Sequence, residues 1–91
     1  MRSFDCIIHD PVGIHARPAG MLAREVKKYP GTRITITKGD RTVEANQLMK
    51  LIGMGVKCND RITVSCNGGN ESAALDAMKD FFADHFRASI L

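Results

Sequence analysis

The sequence predicts a single α+β domain, an open-faced sandwich with helices on one side of a sheet, and three observations carry that prediction. Apolar alternation of period two recurs in short runs, as in Phe4, Cys6 and Ile8 or in Ile62, Val64 and Cys66. Stripes of helical period lie between and after those runs. Each stripe is apolar on one side only, so each helix needs a sheet face to cover it, and the element order over residues 1–91 reads βαββαβα.

The first strand spans Arg2–Ile8 and is broken by His9-Asp10-Pro11-Val12-Gly13. A helix from Ala16 to Lys28 sets Ala19, Leu22, Ala23 and Val26 on one stripe, and Pro30-Gly31 ends it. Ile34 and Ile36 alternate with Arg33, Thr35 and Thr37 in a second strand. Lys38-Gly39-Asp40 turns it into a third strand, Arg41–Ala45, and the two form a hairpin. Asn46 is the expected cap of a short helix, Gln47–Ile52, that stops at Gly53. Ile62, Val64 and Cys66 mark the fourth strand, and Asn67-Gly68-Gly69-Asn70 turns into the last helix, with Ala74, Leu75, Met78, Phe82 and Phe86 on its stripe. Three of the four phenylalanines lie in that helix, which is therefore expected to anchor the core. A right-handed crossover from the first strand to the second, followed by the hairpin, leaves a gap for the fourth strand to fill.

A chain of 91 residues supports one modest core, and 25% charged residues place it among ordinary soluble proteins. No apolar run reaches membrane-spanning length, and Met1–Asp5 lacks the apolar stretch of a signal peptide, so a cytoplasmic protein without membrane insertion is expected. Cys6, Cys58 and Cys66 are odd in number and widely spaced, which points to reduced thiols. His9, His15 and His85 lack metal-ligand spacing, and the glycine pairs lack a nucleotide-loop pattern; neither metal nor cofactor is expected. The net charge of +3 is unevenly spread: Arg17, Arg24, Lys27, Lys28 and Arg33 face only Glu25 in their segment, whereas Glu71, Asp76, Asp80 and Asp84 face Lys79. A basic face of this kind suits acidic protein surfaces, phosphate or nucleic acid.

The most informative run is Gly13-Ile14-His15-Ala16-Arg17-Pro18-Ala19-Gly20. Pro18 suits a first helical turn, where its fixed φ fits and its missing N–H would be unpaired anyway. The amides of Ala16 and Arg17 are then free to meet an anion at the positive end of the helix dipole. Arg17 adds a planar fork that matches phosphate oxygens. His15 supplies a nitrogen nucleophilic near neutrality, and phosphorylating it gives a phosphoramidate reactive enough to pass its phosphoryl group on. Taken alone, His15 would read as a surface histidine; its neighbours Gly13, Arg17 and Pro18 point to function. His9 and His85 have no comparable surroundings.

On these residues, and on Leu48-Met49-Lys50-Leu51-Ile52-Gly53-Met54-Gly55, the whole chain resembles the histidine-containing phosphocarrier (HPr) family of the bacterial phosphoenolpyruvate:sugar phosphotransferase system. The resemblance implies a four-stranded antiparallel sheet with three helices on one face. It implies that His15 takes a phosphoryl group on Nδ1 from enzyme I, with Arg17 assisting, and passes it to the IIA component of a sugar permease. Met21 projects opposite the core stripe, and the second helix carries more apolar residues than one buried face needs. Met21, Leu48, Met49 and Ile52, ringed by Arg17, Arg24 and Lys27, are thus expected to form a partner-docking patch. The other reading places Leu48 and Met49 in the core. Many Gram-positive members carry a regulatory serine where this chain has Gln47, which has no hydroxyl to modify. The expected protein is a monomeric, stoichiometric carrier, not an enzyme. A regulatory paralogue that signals through its phosphorylation state is the alternative. A small RNA-binding domain fits the basic face but lacks stacking aromatics on its strands, where Phe4 stands alone.

Overall fold

The computed structural model describes residues 1–91. The elements are β1 (Arg2–Ile7), α1 (Ala16–Val26), β2 (Thr32–Lys38), β3 (Arg41–Glu44), α2 (Leu48–Gly53), β4 (Arg61–Gly68), α3 (Glu71–Phe86) and β5 (Ser89–Ile90). They form one sheet in the order β3-β2-β4-β1-β5, with every neighbouring pair antiparallel. β4 fills the gap between β1 and β2, pairing Phe4 with Val64 on one side and Ile36 with Val64 on the other.

Alternation sorts the two faces. Phe4, Cys6, Ile34, Ile36, Ile62, Val64 and Cys66 all point under the helices and are buried. Their neighbours make a polar open face, where Asp5 accepts from Arg61 Nη2 (2.6 Å) and Thr63 Oγ1 (2.7 Å), and Thr37 and Thr42 share a hydroxyl contact of 2.9 Å. The core is one cluster of 22 buried residues. Phe82 sits at its centre, edge-on to Phe4 and Phe81 at 6.3 Å and tilted against Phe86 at 5.1 Å. Such pairs add roughly 0.5–1.5 kcal/mol each beyond the area they bury. Phe81, which the α3 stripe leaves out, is buried as well, because α1 closes over that side of α3.

The fourfold strand count is corrected by a fifth strand. Past α3, Arg87 adopts a left-handed conformation (φ +51°), and the Ala88 N–H donates back to the Phe82 carbonyl at 3.1 Å. This reversal lays Ser89–Ile90 along β1, opposite Ile7 and Cys6. Two residues carry no readable alternation, so periodicity cannot reveal them. The short helix is also corrected at its start: Gln47, not Asn46, is the N-cap of α2, and no side chain caps it. α1 ends at Val26 rather than Lys28, with the Lys27 and Lys28 amides folding back onto Arg24 and Glu25 in a tighter turn. No helix is long and apolar enough to cross a membrane.

Candidate functional site

The loop between β1 and α1 is built from a turn that the sequence encodes directly. Asp10, Pro11 and Gly13 occupy the first, second and fourth positions of a β-turn, which is where these residues are favoured, and Gly13 N–H donates to the Asp10 carbonyl at 2.9 Å. The Asp10 carboxylate stiffens it, with Oδ1 accepting from Val12 N–H at 2.9 Å. Asp10 N–H in turn donates to the Phe86 carbonyl at 3.1 Å, tying the turn to the end of α3. On the other side Ile14 N–H donates to the Val56 carbonyl at 3.1 Å, and Ile14 is buried. The chain entering α1 is therefore held at two points of the scaffold.

His15 is the N-cap residue of α1, in an extended conformation (φ −133°, ψ 173°), and its ring makes no capping hydrogen bond. Its carbonyl accepts the first helical bond, from Ala19 N–H at 3.0 Å. Ala16 and Arg17 are exposed, and their amides donate to no backbone carbonyl, so both stay free at the start of α1. Pro18 is buried beneath them and offers no donor. No acidic residue lies in the first turn of α1, so no carboxylate of the helix neutralises its positive end. The His15 side chain is 38% exposed, and its one ionic neighbour is Asp10, with Nε2 3.8 Å from Oδ2. The start of α1 thus combines a part-exposed ring nitrogen with two unpartnered amides and, two residues on, an exposed guanidinium, the kinds of group that receive an anion.

The apolar patch divides between two helices. Met49 is 78% exposed, which rules out the core reading for that residue, while Leu48 and Ile52 are half-buried and pack against the core edge. Leu51 takes the fully buried position of α2. α1 and α2 lie side by side, and Arg17, Arg24 and Lys27 are all exposed. Met21 is 36% exposed but borders the groove toward α3 with Phe81 and His85. His85 lies tilted against Phe81 with ring centroids 4.4 Å apart, and the exposed His9 Nε2 contacts Ser89 Oγ at 2.8 Å, so each of these histidines has a local partner of its own.

The surface clefts do not include His15. One of about 250 Å³ lies between Val26, Tyr29, Ile34 and the Arg33–Glu44 ion pair. A ring presented on open surface suits a group delivered by another macromolecule better than a small substrate held in a pocket. The carboxyl groups displaced from their ordinary range, Asp5, Asp60 and Glu71, are outside the His15 loop. Asp10 is the residue that the sequence reading missed: Asp-Pro reads as a turn, and nothing local shows that its free oxygen faces the ring five residues on.

Residues 2–84 match the family model described as the PTS HPr component phosphorylation site. A phosphocarrier protein HPr from Mycoplasma genitalium is 37% identical over 79 residues, covering 87% of this chain and 90% of that protein. The solved structure of a Mycoplasma histidine-containing phosphocarrier protein superposes with a TM-score of 0.86 at 34% identity, over 91% of this chain and 93% of the other. A multiphosphoryl transfer protein of Vibrio cholerae is 41% identical over 68 residues, which cover 72% of this chain and 17% of that longer protein. The chain belongs to the HPr family, and it is a phosphocarrier of the phosphoenolpyruvate-dependent sugar phosphotransferase system.

Proposed function

We propose that His15 is the residue phosphorylated, on Nδ1, that enzyme I supplies the phosphoryl group and that a IIA component of a sugar permease receives it. The observation that carries this reading is the exposed ring at the N-cap of α1, ahead of the unpartnered amides of Ala16 and Arg17. The Nδ1 lone pair forms the bond to phosphorus as the donor's bond breaks. The amides and the Arg17 guanidinium offset the charge on the phosphoryl oxygens. Met49, Leu48 and Ile52, with Met21 and the rim cations Arg24 and Lys27, form the surface on which donor and acceptor dock in turn. An apolar centre with a basic rim fits partners whose contact surfaces are apolar and acidic. The protein acts as a monomeric stoichiometric carrier in the cytoplasm.

Intact-mass measurement after incubation with enzyme I and phosphoenolpyruvate tests the assignment. The expected result is a gain of one acid-labile phosphoryl group, absent from His15→Ala and discharged when a IIA protein is added. Phosphorylation that persists in His15→Ala would overturn it, and a phosphoryl group retained in the presence of IIA proteins would favour a regulatory role.

A further inference from the structure

We propose that Asp10 is a positioning residue for phosphoryl transfer, its Oδ2 facing Nε2 of His15 and stabilising the Nε2 proton once Nδ1 carries phosphorus. This rests on His15 being the acceptor. Three observations support it. Nε2 is the ring nitrogen that faces Asp10, at 3.8 Å from Oδ2. The carboxylate is fixed in place: Oδ1 accepts from Val12 N–H, and the Asp10 backbone is bonded to Gly13 and to Phe86. Its side chain is only 17% exposed and makes no ion pair with a lysine or arginine, so its charge is directed to the ring.

A separation of 3.8 Å exceeds a hydrogen bond to a neutral ring, yet it lies within the range where a carboxylate stabilises a cation. Phosphorylation creates that cation. When Nδ1 bonds to phosphorus and Nε2 keeps its hydrogen, the ring becomes a phosphoimidazolium whose positive charge faces Asp10. In the onward step an acceptor nucleophile, or water, bonds to phosphorus and the P–Nδ1 bond breaks. The electron pair returns to Nδ1, and because Nε2 still carries its proton, the ring leaves as neutral imidazole. Without that proton it would have to leave as imidazolate, a far poorer leaving group. Asp10 thus keeps the carrier dischargeable at higher pH than the phosphate-binding side alone would. Of the charged or titratable groups on the segments that hold the loop, His9 past β1, Arg17 on α1, Lys57 beyond Val56 and Arg87 beyond α3 form no ion pair with His15 or Asp10, nor do Arg24 and Glu25 farther along α1 or Asp84 and His85 near the end of α3.

The test is the rate of phosphoryl loss to water from the phosphorylated full-length chain, followed from about pH 5 to about pH 9, in wild type and in Asp10→Asn. Asparagine keeps an oxygen for the Val12 amide and removes the charge. The midpoint of the pH profile should fall by about 0.5–1 unit in Asp10→Asn, and loss near pH 8 should slow by about 3- to 10-fold. Asp10→Ser, which retains a turn acceptor, should shift in the same direction and serves if the asparagine variant does not fold. A phosphoryl group confirmed on His15 with an unmoved midpoint in either folded variant overturns this proposal alone. A wild-type chain that takes no phosphoryl group on His15 overturns the acceptor assignment and this proposal with it.

Discussion

Gly13 lies against the backbone of Val56: at φ +77° a Cβ on Gly13 would run into the Val56 carbonyl oxygen, the same atom that accepts the Ile14 N–H at 3.1 Å. The glycine is required twice, for its left-handed conformation and for the close approach that seats the His15 loop. Gly13→Ala is expected to lower stability by about 2–4 kcal/mol, from conformational strain and overpacking together. Urea denaturation would measure it, and a loss below about 1 kcal/mol would show that the loop yields to the methyl group.

Arg17 is exposed at the start of α1, one residue past the first free amide. A charge-assisted hydrogen bond to phosphate is worth about 1.5–3 kcal/mol, so Arg17→Ala should slow phosphoryl acceptance about 10- to 100-fold without lowering stability. Arg17→Lys should recover only part of the rate, because an ammonium cannot reproduce the planar fork. Quenched-flow transfer from phosphorylated enzyme I reads both, and an unaffected Arg17→Ala would remove the guanidinium from the site.

Met49 is 78% exposed, so a charge there carries little folding penalty. Met49→Asp should fold with its denaturation midpoint nearly unchanged, yet raise the KM for transfer with both donor and acceptor by about tenfold, as expected for an apolar docking contact near the centre of a patch. An unchanged KM with both partners would take α2 out of the docking surface.

Three carboxyl groups titrate below their ordinary range in the folded chain. Asp5 is lowered by hydrogen bonds from Arg61 and then Thr63, Asp60 by Lys38 and the Lys57 amide, and Glu71 by the Gly68 amide. The unfolded chain therefore takes up these protons first as the pH falls. Their stabilisation is complete above the ordinary values of 3.8 and 4.5 and is lost as the pH drops through the lower folded values. The urea midpoint should be flat near neutrality and fall below about pH 4.5. Replacing all three (Asp5→Asn, Asp60→Asn, Glu71→Gln) should lower the neutral midpoint and flatten the acid limb.

Burial, and secondarily the Asp5 charge, pushes the Cys6 thiol up to about 12, and burial raises Cys66 as well. Cys58 is partly exposed, with Sγ 3.6 Å from the His9 carbonyl. A thiol reagent near pH 8 should label one cysteine quickly in the native protein and the remaining two only on unfolding. Cys58→Ser should remove the fast phase. Because the folded value for Cys6 lies above the unfolded one, its contribution is intact below pH 9.0 and is lost as the pH rises toward about 12.

Local pattern made most of this molecule legible. The strand faces followed from alternation at Phe4, Cys6 and Ile8 and at Ile34 and Ile36, and all five are buried. Pro18 and the free amides of Ala16 and Arg17 followed from helix-start chemistry, which depends on residues within one turn. What escaped was nonlocal. Asn46 failed as a cap because α2 starts one residue later, a shift no single-residue preference resolves. Leu48 and Ile52 are half-buried, neither fully core nor fully free, because the packing of α2 beside α1 sets their exposure.

The sequence alone determined the order of the first seven elements, most of the core stripes and the chemistry at the start of α1, because each depends on the periodicity or chemistry of adjacent residues. Only the tertiary structure decided that Ser89–Ile90 would pair with β1 and that the free oxygen of Asp10 would face His15. Both depend on where the end of α3 docks: the turn at Arg87 sends the chain along β1, and the Phe86 carbonyl pins the Asp10 amide. A contact between residues more than seventy positions apart is set by packing of the whole core, which no window of sequence contains.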